Sequence, residues 1–205
     1  MPVKPWFPTF IYESPLLARG NPAFARALLE DCRKVRAHDR AGQRWCRKNY
    51  PGGYTSYGTM CNLHQTFSTF IEMEKRIRRH ALNFARHLEM NLQDGRLAMT
   101  DCWVNVMSRQ AVHPLHLHPL AVISGTYYVS TPPGCARIRF EDPRLDKFMG
   151  APPKAADCRP ENRQQVYRDV EVGKLILFES WLRHEVASNP SGGERVSISF
   201  NYNWI

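Results

Sequence analysis

Apolar and polar residues alternate with unusual regularity near the end of the chain. From residue 195 to 204 the two classes fall on opposite faces of an extended strand, because side chains alternate in direction along a strand. The apolar face carries Val196, Ile198, Phe200, Tyr202 and Trp204, and the polar face carries Arg195, Ser197, Ser199, Asn201 and Asn203. The pattern predicts a strand whose apolar face packs on a core.

The first half of the chain has the pattern of helices. Asn21 followed by Pro22 and an alanine-rich segment predicts a helix with an asparagine N-cap and proline in the first turn. Apolar residues at helical spacing predict a long amphipathic helix from Ser68 to about Leu92, ended by Asp94 and Gly95. The glycine- and tyrosine-rich stretch 51–58 is predicted to be a loop.

The second half has the pattern of short strands separated by turns. Predicted strands cover 101–109, 115–130 with an interruption near Gly125, 136–141, 166–171, 174–179, 183–188 and 195–204. Many short strands with proline and glycine turns indicate a sandwich or barrel, so the fold class is mainly β with N-terminal helices. Residues 142–165 show no period and are the predicted lid.

Composition and charge narrow the classes of protein. A chain of 205 residues with 43% hydrophobic content can bury one core. No long apolar segment or signal peptide is evident, so a cytoplasmic protein without membrane contact is expected. The six cysteines are scattered and are expected to be free thiols. The net charge of +9 has no accompanying nucleic-acid motif, so nucleic acid is not the expected partner.

Histidines supply the candidate metal site. His116 and His118 are two positions apart, so in an extended strand both imidazoles point the same way. His184, at the junction of two predicted strands, is the candidate third ligand. Three imidazoles suit Fe(II), zinc, nickel or copper.

Arg195 and Ser197 are the candidate anion site. Their side chains share the polar face of the last strand, where a guanidinium can bind a carboxylate through two hydrogen bonds and a serine hydroxyl can add a third. Asn105, in the strand segment 103–107, is predicted to join them as an inward-facing polar residue. A structural hydrogen bond explains Asn105 equally well.

These residues carry a family resemblance. The chain resembles the iron(II)- and 2-oxoglutarate-dependent dioxygenases, and more narrowly a bacterial subgroup of 2OG-Fe(II) oxygenases, in four segments. They are Trp45–Tyr57, Ser124–Val129, Phe178–His184 and Glu194–Asn201. The resemblance implies a double-stranded β-helix, the cupin-like jelly roll, as a single domain over 1–205. Residues 1–100 would form a helical buttress and substrate-side loops, and residues 101–205 the catalytic core.

The resemblance also implies the roles of the site residues. His116 and His184 match the family's two histidine ligands of Fe(II), and Arg195 with Ser197 matches the pair that binds the far carboxylate of 2-oxoglutarate. Tyr128 matches a tyrosine that touches the same carboxylate. The usual triad has a carboxylate where this chain has His118, and Glu141 or Asp142 is the alternative third ligand.

The expected function is therefore a dioxygenase that uses Fe(II), 2-oxoglutarate and O₂ to hydroxylate a C–H bond, with release of succinate and CO₂. The alternatives are a three-histidine cupin enzyme that does not use 2-oxoglutarate, and a non-catalytic metal- or ligand-binding cupin. The basic charge mildly favours an acidic small molecule or a protein side chain as substrate, and Tyr54, Tyr57 and the 142–165 loop are expected to border its pocket. The sequence leaves the oligomeric state open, and a homodimer is compatible with it.

Overall fold

The computed structural model describes residues 3–17 and 21–205. Four helices precede most of the strands: α1 Pro22–His38, α2 Arg40–Asn49, α3 Leu63–Thr66 and α4 Ser68–His87. The first five strands are β1 Ile11–Pro15, β2 Gly53–Thr55, β3 Leu97–Met107, β4 His113–His116 and β5 Ile123–Ser130. The last five are β6 Ile138–Glu141, β7 Gln165–Arg168, β8 Lys174–Glu179, β9 His184–Val186 and β10 Arg195–Trp204.

The strands form two antiparallel sheets. A six-stranded sheet has the order β1-β8-β5-β10-β3-β2, and a four-stranded sheet has the order β4-β9-β6-β7. Apart from the pairs β2–β3 and β6–β7, neighbouring strands are not consecutive in sequence, as crossing connections between two sheets require in a jelly roll. The predicted jelly roll with N-terminal helices is confirmed.

Strand β10 lies between β5 and β3 in the larger sheet and joins the sheet to the helices. Its apolar residues Val196, Ile198, Phe200 and Tyr202 are buried. The Tyr202 hydroxyl donates to the Glu74 carboxylate of α4 at 3.5 Å, so this face of the strand packs on the helical layer. The opposite face, which begins with Arg195, points between the sheets.

The helix starts follow from capping. The Asn21 side chain accepts a hydrogen bond from the Phe24 N–H at 3.0 Å and Pro22 occupies the first turn, as predicted. Asp39 caps α2 by accepting from the Gly42 N–H at 2.8 Å, and its other carboxylate oxygen accepts from the Tyr54 hydroxyl at 2.9 Å. Asp39 therefore ties α2 to β2.

Several element boundaries differ from the predictions. Strand β5 runs without a break through Gly125, because the missing side chain leaves room for the Phe200 ring, 2.5 Å from where a Cβ would stand. The interruption lies instead between the end of β4 at His116 and the start of β5 at Ile123. The predicted loop 51–58 contains the short strand β2, which is held by pairing with β3, a tertiary interaction without a local signal.

Two general expectations can be compared with the structure. All six cysteines are free, as expected. No helix in the part of the chain that the structure describes is long and apolar enough to cross a membrane. The division of the single domain at residue 100 remains a prediction.

Substituting the buried Asp39 should destabilise the fold. The Asp39→Ala protein loses a helix cap and the hydrogen bonds that the Tyr54 and Thr59 hydroxyls donate to this carboxylate, which together contribute about 2–4 kcal/mol. Urea unfolding should show this decrease in the free energy of unfolding. Asp169→Ala is the matched control, because Asp169 is 86% exposed and makes only a long ion pair with Arg137, so a change below about 0.5 kcal/mol is expected. Equal effects of the two substitutions would contradict the role of Asp39.

Candidate functional site

Three histidines converge between the two sheets. Strand β4 ends at His116 and β9 begins at His184, and the antiparallel register places these two residues directly opposite each other. His118 follows His116 by two residues, and its backbone N–H donates to the Ser180 carbonyl at 2.9 Å. One potential ligand atom from each of the three residues lies within 4.8 Å of the others. The structure therefore brings together all three sequence-predicted metal ligands.

Hydrogen bonds orient each imidazole with its Nε2 toward the centre of the cluster. The Nδ1 atoms of His116 and His184 lie 2.7 Å from the Pro114 carbonyl and 2.9 Å from the Leu182 carbonyl, respectively. A carbonyl only accepts, so each Nδ1 carries the proton and each Nε2 has a free lone pair. This is the tautomer that a metal ligand needs, with the second ring nitrogen held by an outer partner.

His118 is oriented by Asn201 of β10. Its Nδ1 lies 2.7 Å from the Asn201 Oδ1, and the Asn201 amide nitrogen donates to the Asp101 carboxylate at 3.4 Å. Because that carboxylate only accepts, the Asn201 oxygen faces His118 and the imidazole donates through Nδ1. Ser124 contacts the same Nδ1 at 3.0 Å and also bonds to Ser180.

The spacing of the ring nitrogens suits a metal ion. The Nε2 atoms of His116 and His118 lie 3.3 Å apart, although with Nδ1 protonated neither can donate to the other. Two ligand nitrogens about 2.1 Å from one metal ion at adjacent coordination positions lie roughly 3.0–3.4 Å apart. A cation between them removes the repulsion of the lone pairs.

Burial favours the neutral form of the histidines. The Phe178 ring lies 4.5 Å from the His184 ring, and Phe140 packs on it at 5.9 Å. Burial lowers the pKa of His184 well below its usual value and that of His118 to about 4, and it also lowers the pKa of His116. His113, whose ring lies 4.6 Å from that of His116, has a pKa lowered by burial to about 3.

The two carboxylates considered as alternative ligands point elsewhere. Glu141 pairs with Arg183 at 3.1 Å, and Asp142 pairs with Arg144 at 2.9 Å. Neither belongs to the group of residues that could hold a metal ion. His118, and neither carboxylate, lies with His116 and His184, and its role as the third ligand remains a prediction.

Arg195 is a buried cation beside the cluster. It is 3% exposed, and within residues 3–17 and 21–205 no carboxylate lies at ion-pair distance from it. Its guanidinium lies 5.0 Å from the Tyr128 ring centre and 3.6 Å from the Met107 sulfur. A buried charge without a counter-ion is costly, so this site is suited to an anion.

Neighbouring polar groups add to this suitability. The Arg195 Nε and the buried Tyr128 hydroxyl have no hydrogen-bond partner among the residues that the structure describes, and both are donors that a carboxylate can satisfy. Ser197 lines the same cavity. The Asn105 amide nitrogen donates to Ser199 at 3.0 Å, and its oxygen has no partner among the described residues. Asn105 lines the inner pocket, and its part in binding a carboxylate remains a prediction.

The site consists of two connected cavities. An inner pocket of about 40 Å³ is lined by the three histidines together with Arg195 and Ser197. An outer cavity of about 310 Å³ shares His113, His116, His118 and Trp103 with it. Tyr57 lines the outer cavity as expected, but the buried Tyr54 binds Asp39, and no described residue of the 142–165 loop lines either cavity.

Comparisons with known proteins agree with this geometry. The family model described as "Putative 2OG-Fe(II) oxygenase" matches residues 101–201, which contain the three histidines, Arg195 and Ser197. Residues 101–201 therefore form a 2OG-Fe(II) oxygenase domain. No curated protein matches its sequence.

Solved structures of oxygenases share the fold at low identity. A Pseudomonas putida prolyl-4-hydroxylase is 16% identical with a TM-score of 0.62, over 95% of this chain and 92% of that one. The epimerase SnoN, in complex with Fe³⁺, alpha ketoglutarate and nogalamycin RO, is 13% identical with a TM-score of 0.65, over 95% and 79%. HygX from Streptomyces hygroscopicus, with nickel and 2-oxoglutarate bound, is 12% identical with a TM-score of 0.60, over 95% and 83%.

Metal binding by this protein should release fewer protons than three ordinary histidines would. Burial lowers the pKa values of His116, His118 and His184, so a smaller share of these ligands carries a proton that the metal must displace. Three unperturbed histidines would release roughly two protons at pH 6. Calorimetric titration with Co(II) at that pH, in buffers of different ionisation enthalpy, should give clearly fewer protons per metal. A release near two would contradict the depressed pKa values.

Removing the outer partner of His118 should weaken metal binding. We expect Asn201→Ala to lower Co(II) affinity by about tenfold, at the lower end of such effects because Ser124 can still accept from His118 Nδ1. Asn203→Ala is the control, since Asn203 lies two residues further along β10 and contacts Thr100 instead. Unchanged affinity in Asn201→Ala would mean that Asn201 does not orient the ligand.

Proposed function

We propose that this protein is a 2-oxoglutarate-dependent oxygenase that hydroxylates a C–H bond, with His116, His118 and His184 as ligands of Fe(II). The observation that carries the proposal is the unpaired Arg195, buried in the same small pocket as three metal-competent imidazoles. A metal-binding cupin without an acidic cosubstrate would leave this cation buried without a counter-ion. The proposed reaction converts substrate, 2-oxoglutarate and O₂ into hydroxylated substrate, succinate and CO₂.

Each group of site residues has its own proposed role. Bound Fe(II) supplies the activation of O₂ and the site for the keto acid. The three imidazoles would hold the metal through their Nε2 atoms, and a set of only three protein ligands would allow the keto acid and O₂ to bind as well. Arg195 and Tyr128, with Ser197, bind and orient the far carboxylate, and Phe140 and Phe178 exclude water around His184.

Three neutral ligands change the charge of the centre. With histidine in place of the usual carboxylate, the protein contributes no negative charge, so the metal centre keeps its full double positive charge until an anion binds. The dianionic cosubstrate then supplies all of the compensating charge. We therefore expect metal and 2-oxoglutarate to bind with positive coupling, each raising the affinity for the other.

Hydroxylation is the outcome that the outer cavity supports best. Insertion of oxygen into a C–H bond needs no further acid or base from the protein. Among the described residues that line the outer cavity there is no aspartate, glutamate, lysine or arginine. The shared fold includes both a hydroxylase and an epimerase, so the proposal rests on the lining and not on the fold.

The test is anaerobic addition of Fe(II) and 2-oxoglutarate, where chelation of iron by the keto acid gives a visible charge-transfer absorption. We expect the absorption in the wild-type protein and not in His116→Ala. Arg195→Gln should raise the 2-oxoglutarate concentration at half-saturation at least about tenfold, since the lost charge-assisted bonds contribute about 1.5–3 kcal/mol.

The control for that test is Arg139→Gln. Arg139 lies in the four-stranded sheet and pairs with Glu185 at 2.9 Å, outside both cavities, so half-saturation should be unchanged. No absorption in the wild-type protein despite bound iron would favour the three-histidine enzyme that does not use 2-oxoglutarate. Equal half-saturation in wild type and Arg195→Gln would remove Arg195 from the carboxylate site.

A further inference from the structure

The outer cavity differs in chemistry from the inner pocket. It contains Trp45 and Asn49 of α2, Tyr57 after β2, and Leu117 between the metal-site histidines. Trp45 and Tyr57 are each 54% exposed, so packing of the core does not account for their position. Large exposed aromatic side chains around a cavity are typical of a binding surface.

The aromatic rings form a wall beside the metal site. The Tyr57 and Trp103 rings meet edge to face at 4.8 Å, and Trp103 lies 5.7 Å from the His118 ring. Trp45 belongs to the helix that Asp39 ties to β2, so the wall has a rigid support. Such surfaces favour a flat or ring-shaped apolar group, which can stack on them or meet their edges.

The charges of the lining disfavour an ionic group. Among the described residues that line the outer cavity there is no aspartate, glutamate, lysine or arginine. Arg195 lines the inner pocket and is assigned to the cosubstrate, and the basic side chains of α2 do not line the outer cavity, so a carboxylate there would be desolvated without a hydrogen-bonding cation.

A cationic group is disfavoured for a different reason. The aromatic faces could attract a cation, but the same helix that presents Trp45 also carries Arg40, Arg44, Arg47 and Lys48, and the metal adds two positive charges. Repulsion from these groups opposes the attraction. Asn49, Thr55 and the Tyr50 hydroxyl remain as neutral hydrogen-bonding groups in the lining.

We propose that the outer cavity binds an uncharged, ring-bearing group of the substrate against Trp45, Tyr57 and Trp103, and holds it beside the metal site. This inference rests on the proposed function for its role in catalysis. The proposed neutral group replaces the acidic substrate that the net charge of the chain favours. The net charge describes the whole surface, whereas the described residues that line the cavity include no lysine or arginine. A volume of about 310 Å³ accommodates one such group.

The test uses three probes of equal size and different charge: benzamide, benzoate and benzylammonium. Their binding to the metal-free protein is measured by ligand-observed NMR at pH 7.5, so the result does not depend on iron or 2-oxoglutarate. We expect benzamide to bind with a dissociation constant on the order of 1–10 mM, at least tenfold tighter than either ion. Trp45→Ala should weaken benzamide binding at least fivefold.

The control variants assign each signal to a cavity. Trp204→Ala removes a tryptophan that is 53% exposed, about as much as Trp45. Trp204 donates a hydrogen bond to the Leu92 carbonyl and lines neither cavity, so benzamide binding should be unchanged. Arg195→Gln should abolish only benzoate binding in the inner pocket. The inference is overturned if benzoate or benzylammonium binds as tightly as benzamide, and if that binding is lost in Trp45→Ala but kept in Arg195→Gln. It is also overturned if none of the probes binds.

A fourth probe distinguishes the two sources of such a ring. The blocked peptide acetyl-Gly-Phe-Gly-amide presents a neutral ring within a polypeptide. Tenfold tighter binding than benzamide supports a protein side chain as substrate, and equal or weaker binding supports a free small molecule. Both results are consistent with a neutral ring as the bound group. If only the charge-transfer experiment fails, the proposed reaction is contradicted but the assignment of the outer cavity is not.

Discussion

The two faces of β10 are the constraint on which the site depends. Its apolar face holds the helical layer, and its polar face presents Arg195, Ser197 and Asn201 to the space between the sheets. Because side chains alternate with a period of two, a slip of one residue would exchange the faces. It would bury the polar residues against α4 and point Val196 into the pocket. The hydrophobic contact with the helices thereby also sets the position of the anion site.

The same strand links the anion site to the metal site. Arg195 lies at one end of β10, and Asn201, near the other end, fixes the proton of His118 on Nδ1. The bulge in the β10 and β3 pairing follows directly after Asn201, beyond the residues that face the histidines. One strand therefore sets the position of a proposed metal ligand and of the cation proposed to bind a carboxylate, as a precise catalytic geometry requires.

Sequence patterns predicted the parts of the site that follow from a local period. The alternation of polar and apolar residues along β10 predicted that Arg195 and Ser197 share a face. The two-residue spacing of His116 and His118 predicted that their side chains point the same way. Local sequence does not show how distant segments pair, so the strand β2 could not be anticipated. The ion pairs of Glu141 with Arg183 and of Asp142 with Arg144 could not be anticipated either. Asn201 shares a face of β10 with Arg195, so the sequence already indicated that it points toward the site. Its hydrogen bond to His118 could not be predicted, because the two residues are 83 positions apart.

The two cavities separate charge compensation from substrate recognition. A divalent metal held by the three histidines would lie beside the Arg195 guanidinium in the inner pocket, which would then favour a dianion, whereas the outer cavity offers aromatic faces and neutral polar groups. An anionic substrate would compete with the cosubstrate for the inner pocket, because both would seek the same cations. A neutral ring avoids this competition, since it gains little from Arg195 or the metal. Discrimination against the wrong occupant therefore comes from the placement of charge as much as from shape.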